Sequence, residues 1–168
     1  NEKKTVINSK TKVTTPEDHT LYAAWETNNY TVTFDFGNGT KTSRAITYGQ
    51  KYGELPKPEE MTGYIFAGWF TEAIGGNAVT GEGTMETAKD ITLYAHWEGR
   101  TFTVSFNPNG GSVDPQTMNA TYGLSYPELP QPTKTGHTFL GWFDNETGGN
   151  EITNTTNMNR VFDHTLYA

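Results

Sequence analysis

The sequence predicts a small, mostly β unit of the α+β class, repeated in tandem, and three observations predict it. Motifs recur at a spacing of about seventy residues, apolar and polar residues alternate along several short segments, and Gly and Pro punctuate the stretches between them. A chain of 168 residues with 33% hydrophobic content holds one ordinary domain or two small ones. Repetition decides for two. An aromatic share of 13%, from 4 Trp, 9 Tyr and 9 Phe, points to small cores filled by a few large side chains.

The repeat is read by laying "YTVTFDF" from Tyr30 over "FTVSFNP" from Phe102. "YGQKYGELPKP" from Tyr48 then answers "YGLSYPELPQP" from Tyr122, "GYIFAGWF" from Gly63 answers "GHTFLGWF" from Gly136, and "GGN" at Gly75 answers "GGN" at Gly148. The closing segment "ITLYAHW" from Ile91 returns as "HTLYA" from His164 and also as "HTLYAAW" from His19. Residues 1–25 therefore read as the C-terminal part of a preceding repeat, 26–98 as a complete repeat, and 99–168 as a second repeat lacking its final Trp. On this reading the chain is a piece of a longer array, and any anchor or export signal is expected outside it.

Within each repeat the elements follow in order. Tyr30, Val32, Phe34 and Phe36 alternate with Thr31, Thr33 and Asp35, the period of a strand with one buried face, and Phe102, Val104 and Phe106 repeat it. A Gly/Asn turn and a polar stretch ending in "TYG" predict the return strand of a hairpin. Pro56 and Pro58 limit "YGELPKPEE" to a short helical turn at most, followed by an extended crossing. "YIFAGWF" is apolar at nearly every position, which predicts a strand covered on both faces, with Gly68 and Gly141 admitting a close approach. Single apolar pegs follow: Val79 and Met85, then Ile152 and Met158, with Ile7 and Val13 in the leading fragment. They fit short edge strands. Ile91, Leu93, Ala95 and Trp97 alternate with Thr92, Tyr94 and His96 in the last strand. Between Trp97 and Phe102 only Glu98, Gly99, Arg100 and Thr101 intervene, so neighbouring repeats are expected nearly end to end.

These ordered motifs resemble the internalin B-repeat family, also called the Listeria-Bacteroides repeat, over essentially all of residues 30–168. The resemblance implies a β-grasp, ubiquitin-like fold with at most a short helix, found in tandem on secreted or cell-surface bacterial proteins, typically adhesins. "FDFGNGT" is two residues shorter than "FNPNGGSVD" and places Phe36 where the family usually has a small residue, so the first turn is expected to differ between the repeats.

Composition excludes several functions. With 12 basic and 19 acidic residues the formal charge is −7, which opposes binding to nucleic acid or to an anionic membrane. There is no cysteine, hence no disulfide and no thiolate zinc site. No apolar run approaches the ~18 residues of a membrane-spanning helix, so direct membrane insertion is not expected.

The repeats also test chemical candidates internally. His19 and His164 stand opposite Ile91, His96 opposite Ala24 and His137 opposite Tyr64, so a shared metal or acid–base role would be lost between copies. Histidines at the surface or a strand edge are expected instead. Asp35, answered by Asn107, fits turn chemistry rather than a calcium loop. Glu54 and Glu128 recur before "LP" without a second carboxylate to make a catalytic pair, and read as cap or surface-bridging residues. Nucleophile elbows, phosphate loops and His-Glu-x-x-His motifs are all missing. The sequence therefore predicts no enzyme, no cofactor and no metal site.

The expected role is a stalk or spacer that also adheres weakly and multivalently to a host or cell-surface protein, extracellularly. The alternative is a carbohydrate-binding module that uses exposed aromatics to take a neutral glycan. Val32, Phe34, Phe66, Trp69, Phe70, Leu93 and Trp97, with Val104, Phe106, Phe139, Trp142, Phe143 and Leu166, are expected to form the cores. Tyr94, His96 and Tyr167 are the candidate exposed contact patch. Residues 1–25, carrying an apolar strand without the rest of its unit, are a candidate for strand-mediated association with a second molecule or the adjacent repeat.

Overall fold

The structure, a computed structural model, describes residues 5–14 and 16–168. Each complete repeat is a five-stranded mixed sheet. In the first, β1 (Asn29–Asp35), β2 (Lys41–Thr47), β3 (Tyr64–Phe70), β4 (Ala78–Val79) and β5 (Ile91–Gly99) lie in the order β2-β1-β5-β3-β4. In the second, β6 (Thr101–Asn107), β7 (Thr117–Thr121), β8 (Trp142–Phe143), β9 (Glu151–Ile152) and β10 (His164–Tyr167) repeat that order as β7-β6-β10-β8-β9. First and last strands of a repeat run parallel at its centre, Val32 beside Ile91 and Val104 beside His164, and every other pairing is antiparallel. Both units are mostly β, and no helix occurs among the described residues.

Two separate cores account for the two units. Val32, Phe34, Phe36, Ile46, Trp69, Met85 and Leu93 close the first; Val104, Phe106, Val113, Ala120, Tyr126, Trp142, Ile152, Met158 and Leu166 close the second. Alternation along β1 and β6 sends Val32, Phe34, Val104 and Phe106 inward. Ile46, Met85, Val113, Tyr126 and Met158 complete these cores although the sequence pattern did not single them out as core. Met85 and Met158 are fully buried from loops rather than strands, a place suited to methionine's unbranched, adaptable side chain. Their loops are tied to the crossing: Met85 N–H donates to Gln50 O and Met158 N–H to Leu124 O, both at 2.8 Å.

The crossing itself is extended. Tyr52 and Gly53 donate backbone hydrogen bonds to Gly83 and Gly81, each at 2.8 Å, and Arg44 lies over the Phe34 ring while donating to the Tyr52 and Glu54 carbonyls. Pro56 and Pro58 keep the chain from winding into a helix.

Four expectations need correction. β3 is not covered on both faces: Ile65 is 52% exposed and Ala67 is exposed, while Trp69 is buried. A bulge between Phe66 and Gly68, with Gly68 at φ 134°, inserts Ala67 as an extra residue, so Phe66 and Trp69 turn to the same side although three positions apart. Phe70 consequently falls on the opposite face, where it stacks on His96 rather than joining the core. The connection between repeats is also shorter than expected, since Arg100 alone separates β5 from β6. Finally, "HTLYAAW" forms no strand. Leu21, Tyr22 and Trp25 are 66, 88 and 91% exposed, and the segment pairs with no part of the adjacent repeat. In both complete repeats a strand of this type lies between a first strand and a "GWF" strand. Of residues 1–25, Asn1–Lys4 and Thr15 lie outside the described residues.

Candidate functional site

The prolines of the crossing and the tryptophans of the "GWF" strand are structurally one device. Trp69 donates its indole N–H to Pro56 O at 2.9 Å, and Trp142 donates to Pro130 O at 2.8 Å. Both rings are 2% exposed and meet phenylalanines: Phe34, Phe36 and Phe66 edge-on around Trp69, Phe106 and Phe139 around Trp142. A ring held this way has no free face for a sugar. Trp97 is half-buried against Phe66 and donates to Phe36 O at 3.1 Å, outside the central cluster.

The candidate patch is divided between the sheets. Tyr94 and His96 stand on β5, where Tyr94 is in register with Asp35 and Phe70; Tyr167 stands on β10, opposite Asn107 and Phe143. All three are half-buried. The His96 ring lies flat on Phe70 with centroids 3.9 Å apart, and its Nε2 is 2.9 Å from Glu72 O. Beside them Ala67, Ala73 and Ile74 border an open depression of about 340 Å³. Ile74 is 91% exposed there.

A larger groove of about 930 Å³ runs between Pro108–Gly111 and Pro132–Gly141 of the second repeat, with Ala168 at its margin. In the first repeat Trp97 lies beside the corresponding turn, against Phe36 O and Gly37. In the aligned closing segments Ala168 corresponds to Ala95. β8 is two residues long, while β3 has seven.

The titratable groups act locally. Asp35 accepts from Gly37 N–H at 3.0 Å and pairs with Lys41 at 2.8 Å; the Lys41 hydrogen bond, then that of Gly37, holds its carboxyl below the usual value. Asn107 makes the matching bond to Asn109 N–H at 3.0 Å, so both positions serve the turn. Asp144 accepts from Asn150 N–H at 2.8 Å, which, ahead of Arg160 at 3.0 Å, depresses its pKa. His164 departs from the expected surface placement. It is buried, with Nε2 2.8 Å from the Tyr126 hydroxyl and Nδ1 3.2 Å from Phe162 O, and burial pushes its pKa below the ordinary value. In the neutral ring, Nδ1–H donates to Phe162 O and Nε2 accepts from Tyr126 O–H. The other histidines are His19 and His137, both exposed, and His96. Among the described residues no three His, Cys, Asp or Glu side chains are gathered as a metal site would need. Glu54 and Glu128 are exposed and make no ion pair among the described residues.

One recurrent carboxylate escaped the sequence reading. Asp90 accepts from Thr31 N–H at 2.7 Å and Asp163 from Thr103 N–H at 2.8 Å, each tying the start of the first strand to the residue before the last strand. The signal was present as Asp before "IT" or "HT" in all three copies, at Asp18, Asp90 and Asp163.

Two equivalent sheets, each holding the same Trp-to-Pro bond and the same Asp brace, accord with the comparison to known families. The model of the Listeria-Bacteroides repeat domain matches residues 30–96 and again residues 102–168. The chain belongs to the Listeria-Bacteroides repeat family. Over 128 residues, 76% of its length, it is 43% identical to a protein of Evansella cellulosilytica that carries the name of a membrane protein, of which it covers 19%. Over 142 residues, 84% of its length, it is 34% identical to Internalin H of Listeria monocytogenes, of which it covers 25%. This Listeria-Bacteroides repeat pair thus spans at most a quarter of either relative.

Proposed function

We propose that this repeat pair is a non-catalytic stretch of an extracellular bacterial array, displayed at the cell surface or secreted, that spaces and weakly adheres to host or neighbouring-cell proteins. The observation that carries this reading is the same five-stranded unit occurring twice with Arg100 alone between the copies. Such a connection sets successive units end to end and offers the same loops at regular intervals, so weak contacts can add through avidity. The likeness to Internalin H and to a protein named for the membrane supports the surface setting. The strand order, with parallel first and last strands at the centre, supports a β-grasp unit in which the extended crossing replaces the helix.

Burial of Trp69 and Trp142 counts against the carbohydrate-binding alternative. The test is a screen against host proteins and glycans. The two-repeat chain and a chain of several such pairs would be compared at equal molar concentration of repeats. Protein binding that strengthens steeply with repeat number is expected. Glycan hits would favour the alternative, and silence from both chains would leave spacing alone.

A further inference from the structure

The contact between the two repeats is closer than a one-residue connection demands. Arg100 N–H donates to Gly63 O and Tyr122 N–H donates to Arg100 O, both at 2.8 Å, and Arg100 Nε–H reaches Tyr64 O at 3.3 Å. Above these bonds the Tyr64 and Tyr122 rings meet edge to face with centroids 5.2 Å apart. Three glycines admit the approach. A Cβ on Gly63 would lie 2.5 Å from the Tyr122 ring, one on Gly123 would lie 2.7 Å from the Tyr64 hydroxyl, and one on Gly99 would overlap the Tyr122 carbonyl oxygen.

The repeats supply their own controls. Gly136 and Gly49, the counterparts of Gly63 and Gly123, keep the same left-handed backbone, at φ 75° and 79°, with nothing within 4 Å. Backbone conformation therefore explains glycine at those corners, and the joint explains only the crowding. Gly99 differs, because its backbone is not left-handed and closeness to Tyr122 is what excludes a side chain there.

We propose that Gly63, Tyr64 and Gly99 form a receptor surface for the N-terminal face of the following repeat, Tyr122 and Gly123, and that Gly99 decides whether the joint locks. The segment ahead of the first repeat differs at the deciding position. In "WETN" Thr27 stands where Gly99 stands in "WEGR", and Tyr48 stands where Tyr122 does. Tyr48 N–H still donates to Asn28 O at 2.9 Å, as Tyr122 does to Arg100, so this backbone bond is common to both repeats. A threonine at position 99 would bring its Cβ onto the Tyr122 carbonyl oxygen, which the locked joint does not allow. This inference concerns the joint alone and does not rest on any ligand.

The test is NMR on the whole chain, with residual dipolar couplings fitted separately to the sheets of residues 29–99 and 101–167. The unaltered chain should yield one alignment tensor for both. Gly99→Thr, which copies Thr27, and Tyr122→Ala should each yield two unequal tensors, with amide shifts far from the joint unchanged. Tyr122→Phe should restore one tensor, and Tyr48→Ala should leave one. Unequal tensors in the unaltered chain, or one tensor in both Gly99→Thr and Tyr122→Ala, would overturn the proposal. Should either substitution unfold a repeat, the other together with Tyr122→Phe still decides.

Discussion

Replacing Trp69 by Ala should unfold the first repeat and leave the second folded. The ring is 2% exposed, is met by three phenylalanines, and holds the crossing through its bond to Pro56 O. Truncating a buried aromatic to Ala costs about 3–5 kcal/mol, and an orphaned buried carbonyl adds about 1 kcal/mol or more. A unit of about seventy residues is expected to hold only about 3–10 kcal/mol in all. The loss is therefore comparable to the whole stability of the first repeat. The second repeat has a separate core and should keep its transition, and Trp142→Ala should give the mirror result. Urea titrations followed by resolved amide cross-peaks would report each repeat independently. A Trp69→Ala chain that retains dispersed peaks over residues 29–99, with a midpoint shifted by less than about 1 kcal/mol equivalent, would refute the core assignment. If that folded variant had also lost sugar binding, the ring would belong to a site.

Other consequences follow from single contacts. His164 is held below its ordinary value of 6.5, so the unfolded chain binds the proton more readily; stability of the second repeat should fall as pH drops through 6.5 and level off below the folded pKa. His164→Ile combined with Tyr126→Phe should flatten that slope in pH-dependent urea midpoints, while the first repeat, with Ile91 in the equivalent place, should show no such component. Asp90→Ala and Asp163→Ala should each destabilise only their own repeat, by about 1 kcal/mol, as read from the two midpoints. If residues 1–25 associate through a strand, sedimentation should show mass above one chain that Leu21→Ser with Trp25→Ser abolishes; a single-chain mass at every concentration would dismiss the idea.

The tandem organisation was legible in the sequence because repetition needs no geometry to be seen: three closing "TLYA" segments and two "GWF" segments set the period and the order of elements. Strands with one buried face were legible for a similar reason, since Val32 and Phe34, or Val104 and Phe106, recur every second residue. The mostly β class followed from both. What lay beyond reach depended on contacts between distant segments. The bulge at Ala67 turns Phe66 and Trp69 to one side and Phe70 to the other, and a period-two pattern carries no sign of an inserted residue until the partner strand is present. Burial of Met85, Met158 and His164 depends on loops meeting the sheet, and the Trp-to-Pro bonds join residues 12 or 13 apart. "HTLYAAW" shows the converse, a strand sequence that pairs with no strand among the described residues. The sequence by itself determined which segments recur and which residues want to be buried, because those are properties of side chains taken in order. The tertiary structure decided which face each of them reaches and how tightly one repeat meets the next, because both depend on the space left between backbones, as at Gly99 and Tyr122.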